Sequence, residues 1–382
     1  MSQRQKPSWA KGLVRPEVTH FEPYLPGRSM ESVRRERGLK RIIKLASNEN
    51  ALGPSSRALQ ALANVRKNIF RYPDGASQSL RMALARKYHL PVDRVIVGAG
   101  SDELIELLGK TFLNSKDSIV VSEHAFIRYR MAGELMGAKI ISVPMRGYTH
   151  NLEAMGDAIE PSTKLVFIAN PNNPTGTYNT ASELESLLSL VAKKNLQRRC
   201  PVLVVVDEAY YEFARAFQKD YPDTQALQKS YPNLVVLRTF SKVYALAGLR
   251  VGYGFADPEI IEAMDRVRPP FNINVAAQAA AEASLADEAH VRRSVQLIFQ
   301  ESRKMLPALA RLDIPVVPSV GNFILIDVAP RRGEEMFEML LNRGIIVRSM
   351  DEYGFPHYIR LTYGLPSENQ AFLKVLREVV VA

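Results

Sequence analysis

A series of short apolar runs, separated by stretches with helical character, constrains the fold more than any other feature of this chain. Val202–Val206 is apolar throughout, which is typical of a strand covered on both faces. Thr180 and Glu183 form a capping-box pattern that opens a helix toward Asn195. The alternation predicts an α/β fold with a large domain built on a mostly parallel seven-stranded sheet flanked by helices. The predicted strands are Arg94–Val97, Ser118–Val121, Lys139–Val143, Lys164–Ala169, Val202–Val206, Leu234–Leu237 and Arg250–Phe255.

The C-terminal third has a different order of elements. Asp287–Leu312 has the pattern of one long amphipathic helix, and shorter strands and helices follow it in mixed order. This order predicts a smaller α+β domain. Pro269 and Pro270 interrupt a helix, which places the start of the small domain there. The N-terminal segment is rich in proline and arginine, and we expect it to pack on the small domain or on a partner subunit. The expected division is an arm and part of the small domain at 1–46, the large domain at 47–270 and the small domain at 271–382. The predicted elements are strands Asn322–Asp327, Ile345–Arg348 and Tyr358–Thr362, and helices Gly333–Asn342 and Ser367–Val381.

Composition narrows the class of protein. The 382 residues include 46% hydrophobic and 24% charged residues, as in ordinary globular proteins. The net charge of +10 is spread along the chain without a basic tail, which favours a solvated surface or small anionic substrates over nucleic acid. The single cysteine, Cys200, fits a reducing compartment, and we expect a cytoplasmic location. The sequence predicts no secretory signal, no membrane span and, with six scattered histidines, no metal site.

Polar residues follow several predicted strands at the point where each strand ends, and ligands of open parallel sheets bind at that edge. Asp207 comes directly after Val202–Val206; taken alone, it is more simply a turn or cap residue. Lys242 follows the next strand, with Ser241 before it and Arg250 after a glycine. A desolvated lysine in this setting could hold a phosphate or form a Schiff base.

Two further strand ends carry weaker signals. Gly98-Ala-Gly-Ser-Asp-Glu103 opens a helix, and small residues there present free N–H groups to an anion, although a plain turn explains them about as well. Asn170-Pro-Asn-Asn-Pro-Thr-Gly176 predicts a rigid turn that also places amide donors at the same edge.

Taken together and in order, these segments resemble the fold-type I pyridoxal-phosphate aminotransferases and, within them, the histidinol-phosphate aminotransferase family. The resemblance runs from about Tyr24 to the C-terminus. It implies an aspartate-aminotransferase-like fold and pyridoxal 5'-phosphate as cofactor. The segments that carry it are KLASNEN (Lys44–Asn50), RYPDG (Arg71–Gly75), GAGSDELI, NPNNPTG, VDEAYYEF, RTFSKVYALAGLRVGY, NFILID, GIIVRSM and YIRLTYG.

The resemblance implies a role for each matching residue around the cofactor. Lys242 would form the Schiff base and then move the proton, and Asp207 would pair with the pyridinium nitrogen so that the ring accepts electrons. Tyr210 and Asn173 would hydrogen-bond the 3'-oxygen. Tyr72 would reach the phosphate from the other subunit of a homodimer. The remaining cofactor residues implied are Gly100, Ser101, Asp102, Thr239, Ser241 and Arg250 at the phosphate, and Phe126 at the ring.

Four residues are implied at the substrate. Arg360 would bind a carboxylate or a phosphate, and Arg348 matches a second anion-binding position, although a surface ion pair beside a strand is its simpler interpretation. Tyr24 would close over the substrate or be a packed aromatic residue, and Asn50 in KLASNEN completes the set.

Two departures leave the substrate open. Phe126 stands where the family often has a tyrosine, and some relatives with phenylalanine there prefer aromatic amino acids. Ala51 stands where proline commonly follows the second asparagine, which loosens a turn. The leading hypothesis is transfer of an amino group from L-histidinol phosphate to 2-oxoglutarate, in histidine biosynthesis, giving imidazole-acetol phosphate and L-glutamate. The alternatives are a phenylalanine or tyrosine aminotransferase, a threonine-phosphate decarboxylase and, least favoured, a nucleic-acid-binding protein.

Overall fold

The computed structural model describes residues 12–19, 21, 23 and 27–381. The strands are β1 (Ile43–Lys44), β2 (Val95–Gly98), β3 (Ser118–Ser122), β4 (Lys139–Val143), β5 (Thr163–Ala169), β6 (Leu203–Asp207), β7 (Leu234–Thr239), β8 (Gly252–Phe255), β9 (Val316–Val317), β10 (Phe323–Asp327), β11 (Ile345–Ile346), β12 (Arg348–Ser349) and β13 (Tyr358–Thr362). The helices are α1 (Pro16–Thr19), α2 (Met30–Arg37), α3 (Ser56–Val65), α4 (Gln78–Tyr88), α5 (Ser101–Phe112), α6 (Ile127–Leu135), α7 (Leu152–Asp157), α8 (Ala181–Asn195), α9 (Tyr211–Phe217), α10 (Thr224–Leu227), α11 (Pro258–Asp265), α12 (Val275–Leu285), α13 (Glu288–Ala310), α14 (Gly333–Leu341) and α15 (Pro366–Val381).

Seven strands form one large sheet in the order β2-β8-β7-β6-β5-β3-β4. Strands β4, β3, β5, β6 and β7 pair in parallel, whereas β8 is antiparallel to both of its neighbours. The chain between β7 and β8 contains no α-helix, so it returns along the sheet in the opposite direction. The sheet confirms the predicted mostly parallel, seven-stranded fold class.

The apolar strands are covered on both faces because successive side chains point to opposite sides of the sheet. Val204 and Val206 of β6 belong to one core cluster with Leu184 of α8. Val205 belongs to the other cluster, with Leu108 of α5. Every residue of β6 is buried, as its continuous apolar run predicts.

A second, antiparallel sheet has the order β12-β13-β10-β9. Strand β1, near the beginning of the described chain, pairs in parallel with β11. Arg37 at the end of α2 donates hydrogen bonds to Asn342 and to Glu338 of α14, at 2.8 and 2.7 Å. The N-terminal segment is thus bound to the C-terminal elements across more than 300 residues of sequence.

One predicted strand is wrong, and two observed strands were not predicted. The predicted strand Ile345–Arg348 is two strands, since β11 pairs with β1 and β12 pairs with β13, and the change of partner falls at Val347. The two-residue strands β1 and β9 have no pattern of their own to predict them. The Thr180–Glu183 capping box is confirmed, with both of its hydrogen bonds formed. In the described part of the chain, no helix combines the length and apolar character needed to cross a membrane.

Candidate active site

A cavity of about 260 Å³ lies where the carboxyl ends of the large sheet's strands meet the antiparallel sheet. Parallel strands bring residues that are distant in sequence to this one edge. Most of the predicted site residues line the cavity: Ser101, Asp102, Phe126, Asn173, Asp207, Tyr210, Thr239, Ser241, Lys242, Arg250, Arg348 and Arg360.

Lys242 lies at the floor of this cavity, just beyond the end of β7. Its Nζ donates a hydrogen bond to the Ser47 carbonyl oxygen at 3.2 Å and lies 5.6 Å from the centre of the Tyr210 ring. Burial lowers the pKa of Lys242 to about 8, and the charge of Arg360 acts in the same direction. The amine is therefore neutral in a good part of the molecules at mildly alkaline pH, and a neutral amine is a nucleophile toward carbonyl carbon.

Asp207 ends β6 and places its carboxylate at the cavity wall. Its Oδ2 accepts a hydrogen bond from the Tyr129 hydroxyl at 2.8 Å, and its Oδ1 accepts one from the Ala209 backbone N–H at 3.1 Å. Burial raises the pKa of Asp207 to about 6, while both hydrogen bonds oppose that rise. A buried carboxylate of this kind is stabilised by a cationic partner.

An anion cradle lies at the N-terminus of α5. No side chain caps this helix, so its first backbone N–H groups point outward with the positive end of the helix dipole. Arg250 donates from Nη1 to the Ser241 hydroxyl and from Nη2 to Asp102, both at 3.4 Å. Thr239 adds a buried hydroxyl beside them. Backbone N–H groups, hydroxyls and a guanidinium form a donor set suited to a phosphate group.

Two glycines allow the cradle to close. Gly100 has φ 83°, and a β-carbon on it would lie 2.6 Å from Nη2 of Arg250. A β-carbon on Gly252 would lie 2.6 Å from the Gly100 carbonyl carbon and would also press on the Ser101 nitrogen. Only glycine permits β8 to approach the start of α5 this closely.

Hydrogen bonds to uncharged acceptors hold side chains at the lysine end and at the arginine end of the cavity. The Tyr210 hydroxyl accepts a hydrogen bond from Asn48 Nδ2 at 2.8 Å. Arg360 donates from Nη1 to Asn173 Oδ1 and from Nη2 to the Ala46 carbonyl oxygen at 2.8 Å. Within the described residues, the buried Nε of Arg360 has no hydrogen-bond partner. This guanidinium retains donor capacity for a ligand.

The two predicted anion-binding arginines are directly opposite each other. Arg348 of β12 and Arg360 of β13 are partners in an antiparallel pair, and both line the cavity. Arg348 also forms an ion pair with Glu352. Arg348 thus has the ion pair of its simpler interpretation and also lines the cavity, and its binding of a substrate anion stays a prediction.

The cavity lining does not include three of the predicted site residues that the structure describes: Asn50, Tyr72 and Gly100. Asn50 donates from Nδ2 to the Val243 carbonyl oxygen and to the Ser294 hydroxyl, both at 2.8 Å, and does not line the cavity. Tyr72 is 83% exposed and stacks on Phe271, with ring centres 4.7 Å apart. Tyr24 lies outside the described residues, so its closure over a substrate stays a prediction.

Several wall residues have no assigned role in the sequence-based account. Tyr129 reaches Asp207 from the first turn of α6, and it packs against Phe167 with ring centres 5.0 Å apart. From the loop that contains Asn50, the residues that line the cavity are Asn48 and Glu49. Tyr353 lines the cavity together with Arg348. A signal existed for Tyr129 in its closeness to Phe126 along the chain, since Phe126 is the N-cap of α6 and the two rings meet edge-on with centres 5.8 Å apart.

Comparisons with known proteins agree in family and fold. A model of the family described as aminotransferase class I and II matches residues 40–376. The chain is 46% identical over 371 residues to a histidinol-phosphate aminotransferase of Anaeromyxobacter sp. (strain Fw109-5), covering 97% of this chain and 100% of that one. It is 44% identical over 367 residues to a histidinol-phosphate aminotransferase of Moorella thermoacetica, covering 96% and 92%. The crystal structure of histidinol-phosphate aminotransferase from Sinorhizobium meliloti in complex with pyridoxal-5'-phosphate has a TM-score of 0.86 at 25% identity, covering 98% of this chain and 99% of that one.

Proposed function

Because this chain belongs to the class I and II aminotransferases, and among them to the histidinol-phosphate aminotransferase family, we propose that it transfers the amino group of L-histidinol phosphate to 2-oxoglutarate. The products are imidazole-acetol phosphate and L-glutamate, as required for histidine biosynthesis. The observation that carries the proposal is one cavity that holds a phosphate cradle, a lysine of lowered pKa, a buried carboxylate and two opposed arginines.

The residues present fit pyridoxal 5'-phosphate. The cradle formed by the start of α5, Ser241 and Arg250 would hold its phosphate, and Lys242 would hold its aldehyde carbon. Asp207 would hold the ring nitrogen, since a buried carboxylate gains from a cationic partner. When bound, this cofactor supplies an electron sink for the bonds at the substrate's amine-bearing carbon.

Side chains of the protein would position the substrate and move the proton of its amine-bearing carbon. Lys242 Nζ, with its pKa near 8, can accept a proton and return it within the physiological range. The Tyr210 ring centre lies 5.6 Å from that amine, and the Tyr210 hydroxyl, which accepts a hydrogen bond from Asn48, can orient polar atoms of the reacting group. Phe126 offers an apolar face at the cavity wall and donates no hydrogen bond from its ring.

The substrate end is cationic. Arg360 and Arg348 face the same cavity from adjacent strands, so they can bind the phosphate of histidinol phosphate in one half of the reaction. They can bind the carboxylates of glutamate in the other half. A guanidinium suits both anions because its planar donors match either pair of oxygens.

The test is a half-reaction followed by the absorbance of the bound cofactor. Purified protein loaded with pyridoxal 5'-phosphate is mixed, without a keto acid, with L-histidinol phosphate, L-phenylalanine or O-phospho-L-threonine. Conversion to the amine form of the cofactor with histidinol phosphate, at far lower concentration than with phenylalanine, is the expected result. Preference for phenylalanine would replace the proposal by an aromatic aminotransferase, and release of carbon dioxide from phosphothreonine would replace it by a decarboxylase.

We further propose a homodimer in which Tyr72 reaches the cofactor phosphate of the other subunit. Tyr72, Phe70 and Ile69 are 83%, 74% and 70% exposed and lie outside the cavity of their own chain, which favours a partner surface. Mixed dimers of Lys242→Ala and Tyr72→Ala chains test this. If Tyr72 acts across the interface, each mixed dimer keeps one intact site and activity reappears on mixing. If it acts within its own chain, no activity reappears.

We also propose that the protein works in the cytoplasm. Its single cysteine, Cys200, is free and exposed, so the fold needs no oxidising compartment. Fractionation of cells with an antibody to the protein tests the location, and recovery with membranes or secreted material would contradict it.

A further inference from the structure

The pairing of Arg348 with Arg360 places two positive charges directly opposite each other on neighbouring strands. Side chains at such positions are close, and like charges there destabilise a sheet. A negative charge between or beside the two guanidiniums reduces this repulsion, whether the charge belongs to a ligand or to the protein.

The two arginines differ in the charge of their partners within the protein. Arg360 donates to uncharged acceptors, the side-chain oxygen of Asn173 and the Ala46 carbonyl. Arg348 instead forms an ion pair with the carboxylate of Glu352, four residues further along the chain. The Arg348 side chain is 15% exposed and that of Glu352 is 28% exposed, so the pair is only partly screened by water.

Glu352 is positioned to leave that pair without unfolding anything. It belongs to the short turn Asp351–Tyr353, whose last residue, Tyr353, lines the candidate active site. Glu352 itself lines a neighbouring cavity of about 280 Å³, whose wall includes Arg130 and His124. A rotation of this side chain would carry its carboxylate from Arg348 into a space that already exists.

We propose that Glu352 is an internal competing anion, which occupies Arg348 in the absence of substrate and is displaced when a phosphate or carboxylate of the substrate binds there. The inference rests on the proposed function, since it assigns Arg348 to the substrate's anionic end. Glu352 thereby lowers the affinity of the site for every anion that uses Arg348, and it regains the arginine as product leaves. It acts through Arg348 and is a specificity-determining residue rather than a catalytic one.

Replacing Glu352 by glutamine removes the competing charge and keeps the size of the side chain. The Glu352→Gln holo-protein is expected to bind inorganic phosphate about tenfold more tightly than the wild type, which corresponds to release of one partly buried ion pair. The Michaelis constant for L-histidinol phosphate should fall in parallel. The rate of the half-reaction with L-histidinol, which has no phosphate and needs no keto acid, should be unchanged.

Asp351→Asn is the matched control. It removes a negative charge from the adjacent residue, but Asp351 is bound to Arg332 and Ser349 rather than to Arg348. Its phosphate affinity is expected to remain within about twofold of the wild type, as for a surface charge. A third protein, Glu352→Gln combined with Arg348→Met, tests whether the gain in phosphate affinity depends on Arg348.

Isothermal titration of the holo-protein with inorganic phosphate reads out the effect, because the bound cofactor already fills the phosphate cradle. Tighter binding by Glu352→Gln that disappears in the double variant supports the proposal. Unchanged or weaker binding by Glu352→Gln, or an equal gain in Asp351→Asn, overturns it. Failure of the proposed function has a different signature: histidinol phosphate is not converted, while phosphate affinity still responds to Glu352→Gln.

Discussion

Tyr129→Phe tests how the protein holds the buried carboxylate of Asp207. The substitution removes one hydroxyl, whose hydrogen bond to Oδ2 of Asp207 is 2.8 Å long, and leaves the ring packed on Phe167. A hydrogen bond to a charged group contributes about 1.5–3 kcal/mol. At about 1.4 kcal/mol for each pKa unit, its loss should raise the pKa of Asp207 from about 6 to about 7 or 8.

The effect on stability should depend on pH in a defined direction. Burial has already raised the pKa of Asp207 above that of an unfolded aspartate, so its ionised form destabilises the fold at high pH and this penalty disappears on acidification. Tyr129→Phe increases the penalty. In the cofactor-free protein, we expect it to lower the free energy of unfolding by about 2 kcal/mol at pH 8 and by about 1 kcal/mol or less at pH 5, where Asp207 is mostly protonated.

Urea denaturation of the cofactor-free protein at the two pH values measures the difference. Tyr178→Phe is the control, because the Tyr178 hydroxyl donates to Asp220 over the same 2.8 Å at an exposed position. Water can replace the Tyr178 hydroxyl at Asp220, so Tyr178→Phe should lower the free energy of unfolding by less than about 1 kcal/mol at either pH. An equal loss at pH 5 and pH 8 for Tyr129→Phe would refute the reasoning, since the hydrogen bond would then not favour the ionised carboxylate.

Three further predictions concern the same site. Asp207→Asn should lower kcat on the order of a hundredfold in a steady-state assay, because it removes the charge that stabilises a cationic ring nitrogen, and near-normal turnover would exclude that role. Gly252→Ala should weaken pyridoxal 5'-phosphate binding about tenfold or more in a titration of the cofactor-free protein, because the added β-carbon would press on the Ser101 nitrogen. The control is Gly248→Ala, which has open space around the added β-carbon and should bind the cofactor normally. The rate at which the cofactor-free protein takes up pyridoxal 5'-phosphate covalently should rise with pH and level off above about 8, as Lys242 loses its proton, and a rate independent of pH would contradict the lowered pKa.

The large sheet is predictable from the sequence because its strands are buried on both faces. Runs such as Val202–Val206 carry that signal in their own composition, and the structure places the strand at Leu203–Asp207. The split of Ile345–Arg348 into two strands carries no local signal. It arises because β11 pairs with a strand some 300 residues earlier in the sequence, and pairing at that distance is not encoded in neighbouring residues.

The candidate site is predictable to a similar degree and for a related reason. Asp207 and Lys242 follow adjacent strands, so the topology alone brings them to one edge. The sequence does not distinguish Asn48 from Asn50 in the same loop. Asn48 adopts φ 54° and turns its amide toward Tyr210, whereas Asn50 faces Ser294. Backbone geometry of this kind becomes visible only in the folded chain.

The assignment of Lys242 as the residue that holds the cofactor is the central claim of this account. Borohydride reduction of the protein loaded with pyridoxal 5'-phosphate makes that link permanent, and mass mapping of the tryptic peptides then locates it. We expect the phosphopyridoxyl group on Lys242 at one equivalent per chain, with Lys242→Arg carrying none. Its recovery on a different lysine, or an unmodified Lys242 in protein that turns over substrate, would contradict the account.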